Sequence, residues 1–284
     1  MNSSNPSVDE NRDLRDLSGT IVLCGAGKMG NALLEGWLQS ALAPNRIVVL
    51  EPHPAPAVAA LSARGVRLNP DTGPLKNVAA IVIAIKPQIA AETLPALAPM
   101  TGAATVVVSV MAGRTLQFLA GALPQAGALV RAMPNTPAAI GRGITVAVPL
   151  HASEAKRELA HRLLLATGTV EWVADESLMD AVTAVSGSGP AYVFLLAEVL
   201  AQAGVAAGLP QPLAEKLARE TVAGAGELLR RSKLDAATLR ENVTSPAGTT
   251  AAALEVLMRA DGFPALLREA IAAATERSRK LAGR

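Results

Sequence analysis

The chain has 284 residues, half of them hydrophobic and 2% aromatic. That is more than one typical domain and fewer than three, with material for a sizeable core of Ala, Val, Leu and Ile. Basic residues exceed acidic ones by two, 26 against 24, with no long run of like charge, which argues against nucleic acid as the main partner, as do the few base-stacking aromatics. A single cysteine, Cys24, excludes an intramolecular disulfide and fits a reducing cytosol. With only three widely separated histidines (His53, His151 and His161), a structural zinc site is not expected, and no metal is assigned.

Met1–Ser18 is polar and lacks the apolar core of a secretory signal, so a flexible leader is expected there. Residues 19–173 then alternate short β-branched runs with helical stretches. The expected strands are Thr20–Cys24, Arg46–Leu50, Ala79–Ile85, Thr105–Val110, Ala128–Ala132 and Ile144–Val148. Runs without polar alternation suit strands buried on both faces. Helices are expected at Asn31–Leu42, Pro56–Arg64 and Arg114–Leu123, and His151 and His161 flank or occupy a surface-type helix. Repeated strand–helix–strand units imply an α/β domain, a doubly wound parallel sheet layered by helices.

After about Val173 the strand-like runs stop, and residues 174–284 read as all helical. Gly189–Ala207, a stretch from Pro210 to about Arg231, Thr249–Arg259 and Pro264–Leu281 are the expected helices. Ala191–Leu209 is the longest apolar stretch, but Glu198, Gln202 and two glycines argue against a membrane span. A soluble cytoplasmic protein is expected. The helices are rich in small apolar residues, more apolar surface than about 110 residues can cover alone. A homodimer with interleaved helices would cover it.

The strongest local signal is Gly25-Ala26-Gly27-Lys28-Met29-Gly30, a G-x-G-x-x-G directly after a strand and opening a helix. In the dinucleotide-binding reading, Gly25 permits the tight turn, Gly27 lets a pyrophosphate approach, and Gly30 allows close helix–strand packing. Glu51, 21 residues beyond Gly30 at the end of the second strand, is placed to accept hydrogen bonds from a ribose diol. Ala84-Ile85-Lys86-Pro87-Gln88 and Val110-Met111-Ala112-Gly113 follow two further strands and would border the same ligand, as would Arg131-Ala132-Met133-Pro134-Asn135-Thr136-Pro137. A solvated lysine in a proline turn explains Lys86 equally well from spacing alone.

Two hydroxyl-rich loops precede helices in the second half, Ser186–Tyr192 (SGSGPAY) and Thr244–Thr250 (TSPAGTT). Their backbone N–H groups and hydroxyls suit a carboxylate ligand; ordinary N-capping by Ser or Thr is the plainer reading from chemistry alone. No G-x-S-x-G, H-E-x-x-H, P-loop lysine or acid/base carboxylate pair is present. A hydride-transfer enzyme so equipped should reduce something already electrophilic, and a protonated C=N bond fits better than a ketone.

GAGKMG, AIKPQ, RAMPNTP, SGSGPAY and VTSPAGTT, in this order and spacing, closely resemble pyrroline-5-carboxylate reductase from about Thr20 to the C-terminus. The resemblance implies NAD(P)H-dependent reduction of 1-pyrroline-5-carboxylate to L-proline, the last step of proline biosynthesis. It also implies an N-terminal Rossmann domain, a C-terminal helical dimerisation domain, and dimers that often assemble into decamers. Carried over by motif, Gly25, Ala26, Gly27, Lys28, Met29 and Gly30 would line the pyrophosphate, with Ala84, Ile85, Lys86, Pro87, Met111 and Ala112 bordering the cofactor. Gly248, Thr249 and Thr250 would hold substrate, with Thr250 at the imine nitrogen as the catalytic candidate. Two positions depart from the family pattern. Ala247 replaces a usual glycine, and Glu51 stands where many members carry residues suited to a 2′-phosphate, which favours NADH. Two other readings share some of these features. A 3-hydroxyacid dehydrogenase or a related imine reductase shares the two-domain plan, and the former needs a K-x-x-x-N helix, but Lys216 is followed four residues later by Glu220; a non-catalytic NAD(P)-binding regulator predicts a degraded substrate loop, but Thr249 and Thr250 are intact.

Overall fold

In the computed structural model, which describes residues 13–70 and 75–283, the β-branched runs become neighbours in a single sheet. The strands are β1 (Thr20–Cys24), β2 (Ile47–Leu50), β3 (Arg67–Leu68), β4 (Val78–Ile83), β5 (Val106–Ser109), β6 (Ala128–Met133), β7 (Gly143–Leu150) and β8 (Gly168–Trp172). Their order is β3-β2-β1-β4-β5-β6-β7-β8, parallel throughout apart from the antiparallel pair β6–β7. The chain winds outward from β1 to β3 and returns to lay β4 beside β1, so the winding direction reverses between those two strands. In such sheets ligands lie outside the carboxyl ends of the strands at this reversal.

Successive strand residues point to opposite faces, and both faces are covered. Leu23, Val49, Val82 and Val108 meet helices α1 (Lys28–Gln39) and α5 (Glu154–Leu165), where the buried Trp37 indole N–H donates to the Leu163 carbonyl at 2.8 Å. Val22, Val48, Ile81 and Val107 meet α3 (Ala90–Leu97) and α4 (Leu116–Ala122). The short α2 (Pro56–Ala60) continues as a 3-10 turn through Arg64.

Part of the expected leader is ordered. Leu14 and Leu17 are buried in the core on the α1 and α5 face of the sheet, and Arg162 donates to the Asp13 carbonyl and to the Asp16 carboxylate. Two leucines three residues apart are enough to anchor residues 13–18; Met1 to Asn11 and Arg12 lie outside the described residues. The division between halves also differs from the expected one near residue 173. One compact unit holds the chain up to Gly187 together with the chain from Thr275, and the other holds Ser188–Ala274. The texture changes at Val173, but Met179, which opens the short helix α6 (Met179–Val182), is fully buried in the core on the α3 and α4 face of the sheet. That burial keeps the connecting segment with the sheet.

The second unit contains α7 (Gly189–Ala206), α8 (Gln211–Arg231), α9 (Ala236–Asn242), α10 (Thr249–Leu257) and the first part of α11 (Phe263–Leu281). Helix α7 packs on α8 yet has no buried residue within the single chain, and Phe194, Leu195, Val199 and Leu200 are all exposed. The continuous helical stretch Glu176–Ala206 is long and apolar enough to cross a membrane by length and composition alone.

Candidate active site

Strands β1, β2, β4 and β5 are mutually parallel, so the segments that follow them emerge on one edge of the sheet. Gly25 has φ +92°, and a Cβ there would stand 2.8 Å from the Ala84 carbonyl carbon. A Cβ on Gly30 would strike the Gly25 carbonyl oxygen. These two glycines are required by the chain itself. Gly27 is different: its φ is −65°, an ordinary value, and nothing lies within 4 Å of where its Cβ would be. Gly27 is also the N-cap of α1, with no side-chain cap bond, so the first helical amides face outward unpaired by a cap. An open cradle over uncapped amides at the positive end of a helix fits a pyrophosphate. Lys28 is exposed beside it and Met29 half-buried.

Glu51 directly follows β2. Its carboxylate accepts from the Ala26 N–H at 2.9 Å and from the His53 N–H at 3.1 Å. Asn69 locks its backbone from both sides, accepting from the Glu51 N–H and donating to the Glu51 carbonyl, each at 2.8 Å. The acidic group is therefore fixed against the glycine loop before any ribose arrives. It also acts on Cys24, whose thiol is pushed up to about 12 by burial and then by the Glu51 charge, and stays protonated.

Ala84 is tied to β1 through its N–H, which donates to the Cys24 carbonyl at 2.7 Å. Ala84, Ile85 and Pro87 are half-buried, and Lys86 is exposed. The Arg114 guanidinium donates to the Pro87 carbonyl at 3.1 Å while lying 4.5 Å over the Phe118 ring, so it joins the segments after β4 and β5. Met111 is buried, its N–H donating to Ser109 Oγ at 3.3 Å, and Ala112 is exposed. The expected cofactor residues thus stand together on one edge. Asn69 and Arg114 were not expected: each acts across tertiary space, and no local pattern marks it.

The loop after β6 is built on Arg131, whose buried guanidinium pairs with Glu176 at 2.8 Å while the same carboxylate oxygen accepts from the Leu116 N–H at 2.9 Å. Asn135 accepts from the Ile144 N–H at 3.0 Å. A Cβ on Gly187 would strike the Met133 methyl at 2.5 Å, so the start of SGSGPAY leans on this loop.

In the second unit Gly248, Thr249 and Thr250 open α10. Gly248 is the N-cap and no side chain caps the helix; α7 likewise starts at Ser188 without a side-chain cap bond. N-capping by Ser or Thr is therefore not what these two loops do. Thr249 is exposed and Thr250 half-buried at the second helical position. Ala247 has φ +57°, a left-handed conformation that costs an L-residue about 1–2 kcal/mol and explains why glycine is the residue suited to it. Among the described residues no three His, Cys, Asp or Glu side chains converge as a metal site.

Comparison with known proteins adds identity to this geometry. The family model of pyrroline-5-carboxylate reductase dimerisation matches residues 176–281, and that of NADP oxidoreductase, coenzyme F420-dependent, matches residues 20–113. Pyrroline-5-carboxylate reductase of Synechocystis is 41% identical over 270 residues, covering 93% of this chain and 99% of the relative. The chain belongs to the pyrroline-5-carboxylate reductase family. The enzyme of that name from Pisum sativum is 38% identical, with 93% and 96% covered. The reductase structure from Coxiella burnetii superposes with a TM-score of 0.86 at 31% identity, covering 93% of this chain and 99% of that one. The Plasmodium falciparum pyrroline carboxylate reductase, solved with NADP bound, superposes at 0.77 with 26% identity, covering 93% and 98%. The reductase family supplies the activity class, an oxidoreductase forming proline, and its dimerisation domain accounts for the uncovered face of α7.

Proposed function

We infer that this chain reduces 1-pyrroline-5-carboxylate to L-proline with NAD(P)H. The observation that carries the cofactor half is the open cradle at Gly27 on the uncapped start of α1, beside a pre-fixed Glu51. When bound, the nicotinamide supplies a hydride, an electron pair with its proton, to the imine carbon. Gly25–Gly30 hold the pyrophosphate, and the segments at Ala84–Pro87 and Met111–Ala112 line the path from it. The amides opening α10 at Gly248–Thr250 hold the substrate carboxylate. The imine nitrogen arrives protonated from solution, its N–H donates to the Thr250 hydroxyl oxygen, and hydride addition at the carbon leaves it as the ring amine. The protein's contribution is mainly orientation and electrostatic support. The cytoplasm is the proposed compartment, and the partners are the small imine and further copies of the chain, as dimers that assemble into a decamer, without nucleic acid or membrane.

Turnover of pyrroline-5-carboxylate, compared with 2-hydroxyacids and other cyclic imines, tests the activity. Thr250→Val tests the assignment. Because Thr250 caps nothing, thermal stability should hold while kcat falls about tenfold, one transition-state hydrogen bond of ~1.5 kcal/mol. Wild-type kcat in that variant would leave substrate orientation to the backbone.

Glu51 sets the coenzyme preference in this reading. A 2′-phosphate brought against a carboxylate meets a repulsion of about 1–4 kcal/mol, depending on the effective dielectric, which is roughly tenfold or more in relative affinity. The positive end of α1 and Lys28 oppose it. Glu51→Ser is expected to shift the ratio of kcat/KM for NADH over NADPH toward NADPH by about tenfold. A wild type that already prefers NADPH strongly, or an unchanged ratio, removes Glu51 as the discriminator.

A further inference from the structure

The last turns of α11, from Thr275 onward, belong to the same compact unit as the sheet. Within α11 the one buried residue is a polar one, Ser278, at 4% exposure. Its hydroxyl donates at 2.8 Å to the carboxylate of Asp180, itself 2% exposed at the start of α6. A buried hydroxyl–carboxylate bond fixes position more strictly than apolar contact does, because it holds only over a narrow range of distance and angle. Three residues further on, the backbone of α11 reaches the segment after β5. A Cβ on Gly113 would stand 3.3 Å from the Leu281 carbonyl oxygen and 3.4 Å from the Leu281 carbonyl carbon. The helix closes immediately afterwards, with the Ala282 N–H bonded to the Ser278 carbonyl at 3.1 Å and Gly283 in the left-handed region.

The segment that α11 touches is the one leading from Met111 and Ala112. In a doubly wound sheet with the phosphate loop after β1 and the ribose-binding acid after β2, the adenosine half lies toward β2. The segments after β4 and β5, on the other side of β1, then border the reacting half. We propose that Ser278 is a positioning residue for that half: through Asp180 it seats the end of α11 against Gly113 and so sets the Met111–Ala112 backbone where the nicotinamide binds. The proposal rests on the cofactor reading above.

Two ligands separate the effect from general damage. NADH carries both halves, and ADP-ribose carries the adenosine, the pyrophosphate and the second ribose without the nicotinamide. Their affinities for wild type, Ser278→Ala and a chain ending at Lys280 are measured by nicotinamide fluorescence and by calorimetry. Both variants are expected to weaken NADH about fivefold or more while leaving ADP-ribose within about twofold. If Ser278→Ala is not recovered folded, the truncated chain, which keeps the Ser278–Asp180 bond and loses the Leu281 contact, carries the test alone. Unchanged NADH affinity overturns the proposal, and so does equal weakening of both ligands. A wild-type chain that binds neither NADH nor NADPH overturns the cofactor reading itself.

Discussion

Phe194→Glu is expected to turn the protein into monomers at micromolar concentration and to abolish turnover. Phe194 is 67% exposed in the single chain, in the middle of a helix with no buried residue, among Leu195, Leu196, Val199 and Leu200. Such a face in a family with a dimerisation domain is covered by a second copy. In a twofold interface each substitution occurs twice. Removing the phenyl ring forgoes about 1.5–3 kcal/mol of burial per copy. A carboxylate in its place adds several more, since a lone buried charge has no compensating partner. Two copies at about 3 kcal/mol each weaken association by roughly four powers of ten. Sedimentation velocity against protomer concentration measures this, with far-ultraviolet circular dichroism to check that α7 and α8 persist. A variant that sediments with the wild type, or a monomer with wild-type turnover, is the result that would sink the idea.

The same helix illustrates what a sequence discloses and what it withholds. Its apolar, small-residue composition announced a face needing cover, and the strand runs were readable because burial on both faces removes polar alternation. The glycine motif was readable too, although only geometry separates Gly25 and Gly30, demanded by close packing, from Gly27, left open for a ligand. β3 escaped notice because two residues, one of them exposed, leave no pattern. The antiparallel turn from β6 to β7 follows from length. Residues 134–142 connect them through the 3-10 turn Thr136–Ile140, and a parallel return needs about a dozen residues or more. Leu14 and Leu17 were hidden by their polar neighbours. Asn69, Arg114 and Glu176 act on partners 18 to 60 residues away, which no local window can register.

Arg131 is the clearest case of such a distant dependence, and its substitution should destabilise the sheet unit. Its side chain is 3% exposed and Glu176 25% exposed, with 2.8 Å between the paired atoms. Glu176 stands at the first residue of the dimerisation match, and it also accepts from the N–H that opens α4. One carboxylate therefore holds together the end of β6, the start of α4 and the segment leading into the helices. Arg131→Met removes the cation and leaves the carboxylate with the Leu116 amide. Breaking a buried pair from one side costs about 3–5 kcal/mol, and partial exposure of Glu176 lowers the expected loss to about 2–3 kcal/mol. Glu176→Gln should cost a comparable amount, because it leaves a buried guanidinium without its counter-charge. Once one charge is gone the other has nothing left to lose, so Arg131→Met/Glu176→Gln should be more stable than the sum of the singles predicts, by about 1–3 kcal/mol of coupling. Urea unfolding at one fixed protomer concentration reads all three, since a dimer's midpoint moves with concentration. An Arg131→Met midpoint within about 0.5 kcal/mol of wild type, the range of an ordinary surface change, would mean that the pair holds nothing together. Additive singles would mean that the two residues act separately, and that Glu176 works through the Leu116 amide alone.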